Sequence, residues 1–152
     1  MLERIVGFVL LLFTLPAVAQ TARPAQSGWV ADSKTGCRLW NTAPEPNETA
    51  SWSGPCVNGL AHGQGVQQWF VNGKPASRYS GNYRNGMKNG YGEITWSSGA
   101  HYEGEWKDNK ANGRGRYTKI SGEHIEGIWT NGCLRQGTER VTVGATRADC
   151  GF

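Results

Sequence analysis

Little in this chain would build a helix, a membrane span or a familiar active site. Only one long apolar run occurs in its 152 residues, from Ile5 to Leu15, far short of the roughly 20 residues a spanning helix needs. Outside the last dozen residues, no segment after it repeats apolar residues every three to four positions, which leaves no amphipathic helix to place. No Gly-x-Ser-x-Gly nucleophile elbow is present, and none of the glycine pairs precedes a helix in the way a phosphate cradle requires. The four cysteines form no C-x-x-C knuckle, which argues against a structural zinc site. Charge is sparse and interspersed: 16 Lys and Arg against 12 Asp and Glu, a net +4. That pattern is an ordinary solvated surface, not a nucleic-acid footprint.

What is present begins with an address. Arg4 precedes the apolar run, and Pro16 and Ala17-Val18-Ala19 follow it, the tripartite pattern of a secretory signal peptide cleaved near Ala19. The expectation is an exported protein, periplasmic or extracellular, with no transmembrane segment once residues 1–19 are removed. In an oxidising compartment four cysteines are most simply two disulfides. Three connectivities are possible. Cys37–Cys56 and Cys133–Cys150 are favoured because each pair brackets one end of the central region, and each would contribute about 3 kcal/mol by loop entropy.

The centre of the chain repeats itself. Tyr79-Ser-Gly81-Asn-Tyr83, Tyr102-Glu-Gly104-Glu-Trp106 and Ile125-Glu-Gly127-Ile-Trp129 start at positions 79, 102 and 125. A divergent earlier copy runs Trp52-Ser-Gly54-Pro-Cys56. Gly63-x-Gly65, Gly90-x-Gly92 and Gly113-x-Gly115 follow in register, and Trp69 and Trp96 recur where the third copy has Lys119. Such self-similarity marks stacked units that are each too small to bury an apolar face alone. Within a unit the aromatic and glycine positions are two apart and share one strand face. Asn85-Gly86 and Ser97-Ser98-Gly99 supply turns. Each unit therefore reads as a β-hairpin, and the chain as all-β. Glycine weakens an isolated strand; its recurrence predicts rings lying over bare backbone. The segments expected are a signal peptide (1–19), a flexible N-terminal segment (20–35) that orders near Trp29 or Val30, a cap with the first disulfide (36–51), the repeat array (52–132) and a second disulfide cap (133–152).

A Tyr-x-Gly-x-aromatic segment followed by Gly-x-Gly, a Trp and a Gly before the next Tyr resembles the MORN repeat, over Trp52 to about Gly132. The flanking cysteines resemble those of small exported bacterial proteins with such repeats. The resemblance implies successive hairpins joined edge to edge in one elongated, twisted antiparallel sheet, with the terminal units acting as caps. It further implies a scaffold or partner-binding role, and family members have been linked to phospholipid head groups.

An open sheet offers few clefts, so the expectation is a non-enzymatic protein with no cofactor and no metal. Arg78, His101 and His124 occupy equivalent positions, and two strands at about 4.8 Å each separate them, too far to share a metal; they read as a basic row. With Tyr83, Trp96, Trp106 and Trp129 they make the candidate contact surface. Gly54, Gly81, Gly90, Gly92, Gly104, Gly113, Gly115 and Gly127 are the structural glycines of the repeat. The same aromatics are also what a thin sheet would use as its core. The expected partner is an envelope protein; the alternative is an acidic lipid, glycan or cell-wall ligand held by the aromatic columns.

Overall fold

A computed structural model describes residues 28–152. The expected signal peptide and residues 20–27 of the expected N-terminal segment lie outside the described residues. Thirteen strands follow in order: β1 (Gly28–Ala31), β2 (Arg38–Asn41), β3 (Glu48–Trp52), β4 (Cys56–Val57), β5 (Leu60–Ala61), β6 (Gly63–Val71), β7 (Lys74–Arg84), β8 (Met87–Trp96), β9 (His101–Lys107), β10 (Lys110–Thr118), β11 (His124–Trp129), β12 (Cys133–Gln136) and β13 (Glu139–Thr142). No helix is found among the described residues.

The repeats build one seven-stranded antiparallel sheet in the order β11-β10-β9-β8-β7-β6-β3. Consecutive hairpins pair edge to edge, so chain order is spatial order. Two smaller sheets finish the ends: β1-β2-β5-β4 and the hairpin β12-β13. The turns at Asn58-Gly59, Asn72-Gly73, Asn85-Gly86 and Asn131-Gly132 each place two residues at positive φ, the left-handed pair that a tight two-residue hairpin turn demands. Asp108-Asn109 does the same without glycine, since Asn and Asp tolerate that region better than other side chains.

The repeating glycines explain how so thin a sheet acquires a core. Gly65, Gly81, Gly92, Gly104, Gly115 and Gly127 pair successively across six strands. Over this row lie the rings of Trp52, Tyr79 and Tyr102, each above the glycine two residues on and a glycine of a neighbouring strand, with Leu134 over Gly127. A Cβ at Gly81 or Gly92 would collide with the Tyr79 ring, one at Gly104 or Gly115 with Tyr102, and one at Gly54 or Gly65 with Trp52. Each overlying ring is tethered by its polar tip. Trp52 Nε1, Tyr79 Oη and Tyr102 Oη donate to the carbonyls of Pro55, Asn82 and Glu105, three residues on, at 2.9, 3.0 and 3.0 Å. Trp106 and Trp129 add diagonal bonds from Nε1 to the Gly92 and Gly115 carbonyls, 3.0 and 3.2 Å away. Ring contacts then run continuously, one tilted pair, Trp52–Tyr83, and four edge-to-face pairs, Tyr83–Tyr79, Tyr79–Trp106, Trp106–Tyr102 and Tyr102–Trp129, with centroids 4.7 to 5.5 Å apart. Such pairs contribute about 0.5–1.5 kcal/mol each beyond buried area.

The first glycine of each Gly-x-Gly does different work from the second. Gly63, Gly90 and Gly113 have positive φ, and the β7–β8 and β9–β10 ladders shift register beside Gly90 and Gly113. A bulge there needs the conformation that glycine adopts most cheaply.

Both caps are stapled as the bracketing argument favours, Cys37 to Cys56 and Cys133 to Cys150, with Cα atoms 5.8 and 5.6 Å apart. Within the expected N-terminal segment 20–35, order is present at Trp29 and Val30, where it was expected to begin, as strand β1. β1 pairs with β2, the Trp29 ring packs against Trp40 with centroids 5.0 Å apart, and the buried Asp32 carboxylate accepts the backbone N–H groups of Trp52 and Lys34 at 2.9 and 2.8 Å. The sheet itself extends ahead of Trp52, because β3 pairs with β6 from Glu48 onward.

Candidate binding surfaces

Alternation along the strands sends the expected contact residues to opposite faces of the repeat sheet. Tyr83, Trp106 and Trp129 lie on the glycine face and are 2%, 4% and 1% exposed. They belong to the ring ladder and cannot form an accessible column, which corrects that part of the expected surface. The reason is steric: bare glycine backbone draws the rings down onto the sheet, and the caps cover what remains. Arg78, His101 and His124 lie on the other face. They are aligned as expected, separated by Thr95 and Thr118 of the intervening strands. Arg78 and His124 are exposed and His101 half-buried. Trp96 is half-buried on the ring face. No single surface therefore joins the seven residues.

The outward face carries a shallow groove over β8 to β11 that the sequence reading did not single out. Tyr91 and Ile128, 58% and 65% exposed, are among its lining residues. Between them, Glu103, Arg114, Arg116 and Glu126 line the groove with both charges. Tyr91 Oη donates to Glu103 Oε1 at 2.7 Å, and this bond pushes the Tyr91 phenol up from its ordinary range. Arg116 pairs with Glu126 across the strands, and Glu105 accepts the Arg114 backbone N–H at 2.9 Å. These exposed bonds are worth little to the fold, but they hold the charged side chains in place beside two uncovered apolar groups.

The ring face holds a second, more enclosed space between the N-terminal cap and the sheet. Trp40, Trp69, Trp96 and Trp106 line it with Glu48 and Lys88. Trp69 and Trp96 flank the small Ser77, their direct partner on the intervening strand β7. Asn109 ties the cap to this region: its Nδ2 donates to the Trp40 carbonyl at 3.1 Å and its Oδ1 accepts the Lys88 backbone N–H at 2.8 Å. Glu48 accepts from Asn41 Nδ2 at 2.7 Å. Burial nevertheless pushes its carboxyl above the ordinary value.

Lys88 is the unusual group. Its side chain is 9% exposed, and its ammonium sits 5.5, 6.0 and 5.7 Å from the ring centroids of Tyr79, Tyr83 and Trp106. Burial holds it down to about 8, against a smaller upward pull from Glu48. The sequence contained a signal for this residue. Lys88 pairs with Tyr83 as Ala111 pairs with Trp106 and as Ala61 pairs with Cys56. At the position where two units bury an alanine with 0% exposure, the middle one buries a cation.

The MORN repeat family profile matches three consecutive segments, residues 57–74, 79–101 and 102–124. These are the second part of the divergent first unit and the two complete units after it. No curated protein matches the chain. MORN repeats are generally protein- or membrane-binding modules. With hairpins, glycine row and ring ladder all following the matched period, the chain is a MORN-repeat protein.

Proposed function

We propose that this MORN-repeat chain is a non-enzymatic module exported to the cell envelope, where the outward face of its repeat sheet binds a protein partner. The observation that carries this reading is the groove with Tyr91 and Ile128 exposed among Arg114, Arg116, Glu103 and Glu126. Aromatic and arginine side chains surrounded by polar groups are the composition of protein-binding hot spots. Mixed charge on an ordered face favours a complementary protein surface over a uniformly anionic bilayer, which would select a single sign. Export rests on the tripartite N-terminus and is compatible with the two disulfides; a periplasmic or extracellular location follows from it.

The test is a photo-crosslinking amino acid placed at position 91 or 128 in the full chain, expressed in its own host and compared with one at Asn72 in the distant β6–β7 turn. A discrete protein adduct from the groove positions, absent from position 72 and lost on Arg114→Glu with Arg116→Glu, is the expected result. Equal labelling from all positions, partition onto anionic vesicles with no protein adduct, or retention in the cytosol would overturn the reading.

A further inference from the structure

We infer that the tryptophan-lined cavity between the N-terminal cap and the repeat sheet is a binding site for a small sugar acid, one ring bearing a carboxylate and hydroxyl groups. It lies on the opposite face from the groove described above and stands or falls separately.

The cavity measures about 190 Å³, and a space of roughly 150 Å³ already admits one six-membered ring. Trp40, Trp69, Trp96 and Trp106 form its walls, with Lys88 and Glu48 supplying its charges. Trp69 and Trp96 stand two strands apart, about 9.6 Å, with only Ser77 between them in the register. Both indoles line the same cavity. Pockets that orient a small ligand combine such walls with a few placed polar groups.

Lys88 provides the specificity for an anion. Among the described residues the ion pairs are Arg116–Glu126, Lys119–Glu123 and Lys119–Glu139, and none includes Lys88. Its backbone N–H is taken by Asn109, while its Nζ is not among the fully enclosed unpartnered atoms, and Lys88 lines the cavity. Three ring centroids lie within 6.0 Å of the ammonium. A buried cation without a partner is costly. The fold does not require one here, since Ala61 and Ala111 fill the equivalent positions fully buried. A ligand carboxylate would complete the ammonium's coordination and gain a charge-assisted bond in a water-poor setting. A simple anion would leave the Glu48 carboxyl facing it without a donor. Glu48 already accepts from Asn41 and has further lone pairs free. Hydroxyl groups on the ring satisfy it, and the apolar faces of a sugar ring lie against the indoles. These needs together select a sugar acid over an aromatic acid or a neutral sugar.

The experiment titrates the disulfide-bonded chain from residue 20 with D-glucuronate, D-glucose and benzoate, reading tryptophan fluorescence and calorimetric heat. Glucuronate should bind with a shift in indole emission, and glucose and benzoate at least tenfold more weakly. Lys88→Met should abolish glucuronate binding while retaining the native circular-dichroism spectrum, and Lys88→Arg should keep part of it. Trp96→Ala, which removes a half-exposed wall, should weaken binding tenfold or more as a second, independent variant. Glucose binding as tightly as glucuronate, unchanged binding in Lys88→Met, or no response to glucuronate up to 10 mM (on the order of the weakest useful affinity) would overturn the inference. Benzoate binding as tightly as glucuronate would overturn the sugar-acid assignment.

Discussion

Asn109 donates from its side-chain amide to the backbone carbonyl of Trp40, 69 residues earlier in the chain. The same side chain accepts the Lys88 N–H, and its own N–H donates to the Lys88 carbonyl at 3.1 Å. Equivalent turn positions in the neighbouring units are glycines: Gly86 donates to Ala61 and Gly132 to Ala111, each at 2.8 Å. Gly86 and Gly132 reach the caps through backbone alone, accepting from Trp40 and Val143. The middle turn does so with a side chain. Asn109→Gly preserves the positive φ and removes two buried hydrogen bonds, so it should lower stability by about 1–3 kcal/mol. Asn109→Ala should cost more because it adds backbone strain at φ 67°. Urea denaturation of the two variants checks the order; equal losses would show that the backbone strain contributes nothing, and an unchanged Asn109→Gly that the side-chain bonds contribute nothing.

Gly92→Ala should be severely destabilising, by about 3 kcal/mol or more. Its Cβ falls within the Tyr79 ring, and that ring is pinned by its bond to Asn82, so the overpacking cannot relax cheaply. Gly28→Ala, with nothing near its Cβ, is the control and should change stability by no more than about 0.5 kcal/mol. Comparable thermal midpoints for the two variants would refute the ring-over-glycine account of the core.

Lys88→Met should raise stability at neutral pH, by up to the order of 3 kcal/mol. The ammonium falls from 10.5 unfolded to about 8 folded, and each unit corresponds to roughly 1.4 kcal/mol. The sign follows from proton counting. Below pH 8 the lysine is charged in both states and the native state bears the full cost. Between 8 and 10.5 the unfolded chain holds the extra proton, so wild-type stability rises with pH. The Met variant's advantage should therefore shrink over that window. Glu48 and the phenols of Tyr79 and Tyr83 are the other titratable groups near Lys88. Burial pushes the Glu48 carboxyl and both phenols upward. Thermal melts of both proteins at pH 7, 9 and 10.5 test this; an advantage independent of pH would contradict it.

Replacing either cysteine pair with alanines should cost about 3 kcal/mol by loss of loop constraint. The staples sit in separate caps at opposite ends of the array, so the two losses should add within about 0.5 kcal/mol. Denaturation of both double variants and the quadruple variant measures this. A strongly non-additive result would mean that the caps touch through the array.

Much of the fold was legible because a repeat states its register several times over. Tyr79, Tyr102, the paired glycines and the Asn-Gly turns sit at fixed spacing, and a period-two pattern then assigns each to a face. The same parity places Arg78, His101 and His124 opposite Tyr83, Trp106 and Trp129, so grouping all seven into one surface conflicted with information already in the sequence. The departure of Lys88 from Ala61 and Ala111 was readable too, once the units were aligned by their strand partners. The onset of order near Trp29 or Val30 was legible as well, but what secures residues 28–35 was not. Their order depends on Trp29 meeting Trp40 and on Asp32 finding the N–H of Trp52, contacts that no local pattern announces.

By itself, the sequence determined the hairpins, their order and the glycine-ring face, because strand periodicity and left-handed turns are local properties of the chain. Tertiary structure alone decided which rings remain reachable. It folded the N-terminal cap over the ring face, closed Tyr83, Trp106 and Trp129 into the core, and left a cavity around Lys88 and an open groove beside Tyr91. Those outcomes depend on contacts between residues far apart in the chain, and burial is a property of the assembled layers that no single strand carries.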